Sequence, residues 1–378
     1  MEVHPLFSES SSVIHFVLVS LSSFVCSWFL IKLLTPTAEY IGLMDIPGGR
    51  KRHRHTTPVI GGIAIYLALW LSVIGLGWAG IETRYGIMLL VFGGALVATG
   101  AADDRFDLSP MVRFAVQLGI ALAAAYYADI KVEELGALLS PTGVTLGIFA
   151  LPFTALAIVG AINALNMVDG LDGLMSSLTA VILVLLMISV WLGGYSPGLL
   201  VLLASLLGVV LGFFAHNGRF GQESRARVFM GDAGSMFLGF IIACLLIRLG
   251  QDPDRVITPV TAVWLFGLPL LDTVRLMMQR ILRGRSPFKP DRLHLHHILL
   301  RSGLTVNQTV VTMTFLQVLL GVCGLVGFHV GMPEWVMFYG FVTVFILYYW
   351  WTTEACGFVR WGKRRMKDLR GTPAAQET

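Results

Sequence analysis

Long apolar runs separated by short polar segments make up most of the chain. A helix needs roughly 20 apolar residues to cross a bilayer, and eleven runs come close to or reach that length. The runs are uniformly apolar, so they predict helices and not the alternating strands of a membrane barrel. The predicted spans are 13–34, 59–80, 86–102, 112–128, 144–165, 174–192, 198–215, 235–250, 258–277, 306–328 and 335–353.

The composition agrees with a membrane protein. Hydrophobic residues make up 56% of the chain and charged residues only 13%, whereas soluble domains carry about 25% charged residues. This balance excludes an ordinary soluble enzyme, a coiled coil and a disordered chain. We predict an all-α, polytopic membrane protein with a single transmembrane domain over 1–378 and a basic tail at 354–378.

The basic residues are distributed very unevenly between the two sides of the predicted bundle. The connections opposite the basic side hold only Arg84, Lys131 and Arg255. The basic connections, counting Arg113 at the border of the second, hold 21 of the 27 Lys and Arg; they are 35–58, 103–111, 166–173, 216–234, 278–305 and the tail. The positive-inside rule places them in the cytoplasm, with the N-terminus outside and the C-terminus inside. We expect a multi-pass membrane protein in this orientation.

Acidic residues and histidines also gather on this basic side. A transporter would instead place ionisable groups near the bilayer midplane, often within internal repeats. The sequence shows no charged residue in the middle of a predicted span and no clear repeat. A scaffold would not need such a cluster. The pattern therefore favours an enzyme whose active site faces the cytoplasm over a lipid or sugar transporter.

The first acidic group is the pair Asp103-Asp104, at the end of the third predicted span. Adjacent carboxylates repel each other and need a cation, a proton or solvent. The pair could be a solvated helix end with Arg105 as its partner. However, a helix C-terminus disfavours anions, so the pair is a better candidate for function.

Two further acidic groups follow. Asp169 and Asp172 would share a face if helical, beside Asn163 and Asn166, and would suit a divalent cation or the hydroxyls of a substrate. The alternative is a loop with two helix-capping aspartates. Asp232 comes just before the eighth predicted span. It would be either an N-cap or a metal ligand near a helix end that also attracts phosphate.

A histidine group lies in the connection 278–305. His294, His296 and His297 could bind zinc. Basic residues surround them, including Lys289 and Arg292, and cations repel a metal but attract phosphate. A diphosphate-binding loop is the favoured interpretation.

Together these motifs resemble a known enzyme family. In chain order they are Gly42-x-x-Asp45-x-Pro47, Arg50-Lys51-x-His53, Pro58-x-x-Gly61-Gly62, Asp103-Asp104-Arg105, Asn166-x-x-Asp169-Gly-x-Asp172-Gly173, Phe229-x-Gly231-Asp232-Ala-Gly-Ser235 and His294-x-His296-His297. The chain is similar to the polyprenyl-phosphate N-acetylhexosamine-1-phosphate transferases over about 42–300. The resemblance implies that this region is the transferase core of one catalytic domain over 1–378. The His-x-His-His and Asp-Asp-Arg forms are like those of the WecA-type branch, which uses UDP-N-acetylglucosamine and undecaprenyl phosphate. The cell-wall branch, MraY, typically has a lysine after the acidic pair and three consecutive histidines.

The resemblance implies a reaction and a cofactor. N-acetylhexosamine 1-phosphate would move from a UDP-sugar to a lipid phosphate, releasing UMP. Mg²⁺, or alternatively Mn²⁺, would bridge the donor's diphosphate. Donors with N-acetylgalactosamine, N-acetylfucosamine or MurNAc-pentapeptide remain open. The resemblance also implies a multi-pass protein of the bacterial cytoplasmic (inner) membrane. We expect UDP-N-acetylhexosamine, undecaprenyl phosphate and membrane lipid as partners and no nucleic acid, and a homodimer is left open.

The resemblance also implies roles for individual residues. Asp232 would bind the metal directly and Phe229 would stack on the uracil. Asp103 and Asp104 would lie near the lipid phosphate, with Asp103 as either a general base or a positioning group. The remaining residues would line the nucleotide, metal, diphosphate and sugar regions: Asn163, Asn166, Asp169, Asp172, Lys51, His53, Arg292, His294, His296 and His297.

Overall fold

The structure is a computed structural model that describes residues 9–45, 56–75, 81–138, 143–194, 197–220, 225–252, 256–284 and 293–370. Three predicted site residues, Lys51, His53 and Arg292, lie outside these residues. The described chain is almost entirely helical, which confirms the predicted fold class. Its one paired sheet element is an antiparallel pair, β1 (Met44–Asp45) with β2 (Thr57–Pro58).

Thirteen α-helices follow one another along the described chain. Short 3₁₀ turns lie at Thr35–Thr37 and Gly147–Phe149. The helices are α1 (Glu9–Leu34), α2 (Gly61–Gly75), α3 (Thr83–Phe106), α4 (Pro110–Ala128), α5 (Ala150–Val168), α6 (Leu174–Leu192), α7 (Pro197–Asn217), α8 (Gly231–Gln251), α9 (Pro259–Leu265), α10 (Gly267–Leu282), α11 (Leu295–Arg301), α12 (Val306–His329) and α13 (Glu334–Arg370).

Within the described residues, nine helices are long and apolar enough to cross a membrane. The bent pair α9 and α10 makes a tenth if it counts as one broken span, and α2 is a shorter apolar helix. A polytopic membrane protein is therefore confirmed, while the count of eleven and the orientation stay predictions. Helix α13 continues to Arg370, so the basic tail begins as an extension of the last span.

Helix α8 forms the centre of the bundle and is buried along most of its length. Small residues let the neighbouring backbones approach it closely. A Cβ on Gly62 of α2 would lie 2.0 Å from the Gly234 nitrogen, and one on Gly100 of α3 would lie 2.3 Å from the Ala233 nitrogen. These contacts fix the first turn of α8, which carries Asp232, against α2 and α3.

The predicted continuous span 258–277 is wrong, because the chain bends by 85° between α9 and α10. Pro269 has no N–H to donate to the Leu265 carbonyl, so the helical ladder stops there. Gln317 of α12, fully buried, replaces the missing partners. Its Nε2 donates to the Leu265 oxygen at 2.7 Å, and its Oε1 accepts from the Leu268 nitrogen at 3.0 Å.

The bend changes the surroundings of two charged residues that the sequence had placed inside this span. Asp272 and Arg275 of α10 are both buried in the protein interior. Both residues fall within the last six residues of the predicted span 258–277 and not in its middle, and sequence reasoning did not recognise that they are buried. The polar contacts of Asp272 with the 293–297 segment, described below, offset the free-energy cost of burying its charge.

Candidate active site

A cavity of about 600 Å³ lies at the end of the bundle where the predicted cytoplasmic connections meet. Seven aspartates line it, and Arg113 is the one basic side chain among the described lining residues. We call it the acidic cavity. Its lining residues are Asp45, Val59, Asp103, Asp104, Asp107, Arg113, Asn166, Asp169, Gly170, Leu171, Asp172, Asn217, Phe229, Met230, Gly231 and Asp232.

Backbone pairing brings the segments of this cavity together. The Phe229 nitrogen donates to the Pro58 oxygen at 2.8 Å, and the Gly61 nitrogen donates to the Phe229 oxygen at 3.1 Å. The segment before α8 is thereby tied to β2 and the start of α2. The structure thus places the three predicted acidic groups and Phe229 around one space, while their individual roles stay predictions.

Asp103 and Asp232 converge on a single guanidinium. Arg113 Nη1 lies 2.5 Å from Asp103 Oδ2 and 2.9 Å from Asp232 Oδ2. The other oxygen of Asp103 accepts from the Leu108 nitrogen at 2.8 Å. Sequence reasoning missed Arg113 as a site residue, although a basic residue at the start of an apolar run was a usable signal.

Asp104 faces a different helix end from Asp103. Its carboxylate accepts from the Asp232 nitrogen at 2.9 Å and from the Ala233 nitrogen at 3.3 Å. It therefore caps the N-terminus of α8, where a negative charge is favourable. The capping alternative considered for Asp232 is thus wrong, because the cap comes from Asp104 on α3.

Asp169 and Asp172 lie in a non-helical turn, so the assumption that they share a helix face is wrong. Helix α5 ends at Val168 and α6 begins after Gly173, whose φ is +80°. Both aspartates still line the cavity. Burial of Asp169, together with the negative charges of Asp104 and Asp172, raises its pKa to about 7.

Polar side chains fix this turn on both sides. Asp172 Oδ2 accepts from Arg219 Nε at 2.7 Å and from the Ala226 nitrogen at 3.0 Å. Asn217 Oδ1 accepts from the Gly173 nitrogen at 2.7 Å. Asp172 is therefore held by the segment after α7 and does not cap α6.

The two predicted asparagines differ in position. Asn166 Nδ2 donates to Asp232 Oδ1 at 2.6 Å and to Ser235 Oγ at 2.9 Å, so it belongs to the acidic cavity. Asn163 does not line the cavity. Its Nδ2 donates to Gln117 Oε1 on α4 at 2.8 Å, and this geometry gives no support to its predicted contact with the donor.

The histidine turn, residues 293–297, packs against the acidic cavity. The rings of His294 and His296 are stacked 5.5 Å apart, and His296 and His297 are 4.2 Å apart. A Cβ on Gly170, which lines the cavity, would lie 2.6 Å from His296 Nε2. Burial lowers the pKa of His296 to about 3, with further contributions from His297 and His294.

The donor set of the acidic cavity suits a hydrated hard cation. Its carboxylates outnumber its bases, and buried like charges are unfavourable without a counter-charge. Among the described residues, no three carboxylate, imidazole or thiol groups form a complete metal-ligand cluster. Mg²⁺ typically binds through one or two carboxylates and keeps waters or substrate phosphates as its other ligands. Asp232 and Asp103, which already face one cation, fit that pattern.

Known proteins resemble this chain over nearly its whole length. The profile described as glycosyl transferase family 4 matches residues 86–250. An undecaprenyl-phosphate alpha-N-acetylglucosaminyl 1-phosphate transferase of Haemophilus influenzae is 36% identical over 357 residues, covering 92% of this chain and 98% of the relative. The enzyme of that name from Escherichia coli K12 is 34% identical over 356 residues, covering 93% of this chain and 95% of the relative.

The Salmonella typhimurium enzyme of the same name is 35% identical over 351 residues, covering 93% of this chain and 94% of the relative. The matched family region contains the acidic pair, the Asp169–Asp172 turn and Asp232, which the structure gathers around one cavity. The chain therefore belongs to glycosyl transferase family 4, in the group of undecaprenyl-phosphate alpha-N-acetylglucosaminyl 1-phosphate transferases.

Proposed function

We propose that this protein transfers N-acetylglucosamine 1-phosphate from UDP-N-acetylglucosamine to undecaprenyl phosphate and releases UMP. The reaction takes place at the cytoplasmic face of the bacterial inner membrane and begins a lipid-linked cell-surface glycan. The observation that carries the proposal is the gathering of the acidic motifs in one cavity, in a chain that is similar over 92% of its length to a relative named for this reaction.

The chemistry explains why an acidic cavity suits such a substrate. An oxygen of the lipid phosphate forms a bond to the phosphorus that carries the sugar. The bond from that phosphorus to the bridging oxygen breaks, and UMP leaves with the electron pair. Both reactants are anionic, so a cation is needed to bring them into an acidic site. Bound Mg²⁺ would neutralise the diphosphate and polarise its oxygens.

Among the chain's own residues, Asp232 and Asp103 are proposed to hold this cation. Arg113 pairs with both carboxylates, and all three residues line the cavity. Asn166 fixes the second oxygen of Asp232, which restricts the carboxylate to one orientation. The histidine turn, with Lys51, His53 and Arg292, would bind the diphosphate and sugar, and Phe229 would stack on the uracil.

The geometry favours the proposed role of Asp103 in holding and positioning the cation over that of a general base. Both of its oxygens accept hydrogen bonds, from Leu108 and Arg113. The lipid phosphate has a second pKa near ~6 and is mostly dianionic at neutral pH, so little proton removal is required. We expect Asp103→Asn to lose activity equally at pH 6 and pH 8. Near-full activity above pH 8 with loss at pH 6 would establish the base role.

UMP release by the purified protein in detergent tests the proposed function. With undecaprenyl phosphate, UDP-N-acetylglucosamine and Mg²⁺, we expect lipid-dependent release that Asp232→Asn and EDTA both abolish. Release only with the N-acetylgalactosamine, N-acetylfucosamine or MurNAc-pentapeptide donor would refute the sugar assignment and keep the reaction. If the folded protein were inactive with every UDP-sugar, the proposed transferase activity would be refuted.

A further inference from the structure

A buried carboxylate outside the acidic cavity lies beneath the histidine turn. We propose that Asp272 is a positioning residue that fixes the tautomer and orientation of His294. The ring then presents Nε2 to the bound UDP-sugar. The proposal rests on the proposed function for its kinetic part, but its geometric part concerns Asp272 and His294 alone.

Asp272 is saturated with hydrogen-bond donors. Its side chain is 1% exposed, and Oδ2 accepts from His294 Nδ1 at 2.8 Å. Oδ1 accepts from the Leu295 nitrogen at 3.1 Å and from the Tyr348 hydroxyl at 2.8 Å. The fully buried Arg275 places Nη2 3.5 Å from the same oxygen. These contacts describe an ionised carboxylate whose charge is balanced locally.

This arrangement determines which nitrogen of His294 carries the proton. A carboxylate can only accept, so Nδ1 must donate to Asp272. Among the described residues, nothing forms a hydrogen bond with Nε2 of His294, which leaves that nitrogen for a ligand. A neutral ring offers Nε2 as an acceptor for a sugar hydroxyl or amide, and a protonated ring offers it as a donor to phosphate.

Three separate segments combine to hold this one imidazole. Asp272 lies on α10 beyond the bend that Gln317 stabilises, and its carboxylate bonds His294 of the histidine turn. Tyr348 reaches the carboxylate from α13. The His294 ring stacks on His296, which in turn contacts the cavity wall at Gly170. A chain of direct contacts thus joins Asp272 to the acidic cavity.

The simpler alternative is that Asp272 only anchors the start of α11 through the Leu295 nitrogen. The two roles differ in how they involve His294. A positioning residue acts through the ring, so its removal should matter only while the ring is present. If Asp272 were only an anchor, its removal would lower activity whether or not the His294 imidazole is present.

The first experiment measures the tautomer directly. In protein labelled with ¹⁵N-histidine, the His294 signals are assigned by their loss in His294→Gln. We expect a protonated Nδ1 in the wild type. In Asp272→Asn the amide N–H facing the ring should shift the proton to Nε2. An unprotonated Nδ1 in the wild type, or an unchanged tautomer in Asp272→Asn, would overturn the proposal whether or not the proposed reaction occurs.

The second experiment is a double-mutant cycle on the steady-state kinetics of UMP release. We expect Asp272→Asn and His294→Gln each to lower kcat/KM for the UDP-sugar by about 10- to 100-fold. The double variant should lose less than about twofold beyond His294→Gln alone. Additive losses would overturn the proposal in favour of an anchor.

Two hydroxyl deletions act as matched variants. Tyr348→Phe removes one donor to Asp272, and we expect a decrease of kcat/KM by less than about tenfold with the His294 tautomer retained. Tyr66→Phe removes a hydroxyl that bonds the Leu90 oxygen elsewhere in the bundle, and should leave kcat/KM unchanged. An equal decrease in both variants would indicate general destabilisation and contradict the proposal. A wild type with the expected tautomer but no UMP release would instead refute the proposed function.

Discussion

The acidic cavity can be compared with a second large cavity at the other end of the bundle. That cavity, the Glu334 cavity, has a volume of about 710 Å³ and is lined by residues of 137–138, Thr258, the end of α12 and the start of α13. Asn307, at the opposite end of α12, bonds the Arg219 oxygen near the acidic cavity. The 24 residues of α12 therefore separate the two cavities by about 36 Å.

The two cavities differ in charge more than in size. The Glu334 cavity has one acidic lining residue, and its Oε2 accepts from the Ala137 nitrogen at 3.0 Å. The acidic cavity has seven aspartates and one arginine among its described lining residues. An excess of enclosed negative charge is stable only with a cation or bound protons. Charge imbalance, and not volume, therefore identifies the site in this molecule.

The largest expected effect separates the cavities by activity. Asp232→Asn should lower kcat of UMP release by at least about 100-fold, because it removes the carboxylate proposed to bind the metal. Glu334→Gln is the matched control at the other cavity and should retain activity within about twofold. Comparable losses in both variants would show that the charge difference does not identify the site.

The bend between α9 and α10 should matter chiefly for the stability of the protein. Gln317→Leu leaves the Leu265 oxygen and the Leu268 nitrogen without partners, and each buried unsatisfied group costs about 1–3 kcal/mol. We therefore expect a loss of about 2 kcal/mol or more in the free energy of unfolding. Thr312→Val removes an exposed hydroxyl that bonds only the Gln308 oxygen of the same helix, and should change this free energy by less than about 0.5 kcal/mol. Equal denaturation midpoints for the two variants would contradict this account of the bend.

Removal of Arg113 tests whether the acidic cavity also binds a metal ion beside this side chain. Arg113→Leu leaves Asp103 and Asp232 facing each other without their shared cation. Because the arginine is partly exposed, we expect a destabilisation of only about 1 kcal/mol in EDTA, and less when Mg²⁺ is present. Thermal unfolding with and without Mg²⁺ measures the difference. A destabilisation of the same size in both conditions would argue against a cation site beside Arg113.

Three buried aspartates of the acidic cavity contribute to the pH dependence of the metal-free protein, because burial raises the pKa of Asp104 to about 6, of Asp169 to about 7 and of Asp232 to about 8. For Asp169, the usual unfolded value is about 3.9. The folded state therefore binds more protons between these values, and stability should fall as pH rises from 4 through 7. We expect a lower Tm at pH 8 than at pH 6 in EDTA, a smaller difference in Asp169→Asn, and a larger stabilisation by Mg²⁺ at pH 8. An Asp169→Asn variant with the wild-type pH profile would contradict this assignment.

The smallest expected effect is at the histidine turn. Burial and the neighbouring histidines lower the pKa of His296 to about 3, so its ring should stay neutral throughout the physiological range. ¹⁵N chemical shifts of His296 recorded from pH 5 to pH 8 should not change. A titration within that range would mean that the ring is accessible to water or to a negative charge.

The sequence was sufficient to predict that the acidic motifs share a site, and its limits have physical causes. Asp103, Asp169 and Asp232 follow spans that end on the same side, so counting spans and basic residues brings them together. Asp104 could not be recognised as the cap of α8, because the bond joins residues far apart in the chain. The bend near Pro269 depends on Gln317 from another helix. The hydrophobic pattern of 258–277 does not reveal that contact.

Polar residues inside apolar runs were the hardest to interpret. Asn163 was predicted to contact the donor, yet Gln117 of the adjacent helix satisfies its amide. Asp272 was passed over inside a predicted span, although its buried carboxylate bonds His294 next to the site. In both cases the role is decided by the partner across the helix interface, which a single sequence does not identify.

Metal binding tests the central claim most directly, namely that the acidic cavity is the cation site. Electron paramagnetic resonance of Mn²⁺ can be recorded with purified protein and UDP-N-acetylglucosamine, without acceptor lipid. We predict about one bound Mn²⁺ per chain that Mg²⁺ displaces, unchanged in Glu334→Gln and at least about tenfold weaker in Asp232→Asn. Equal binding by the wild type and Asp232→Asn would contradict the account.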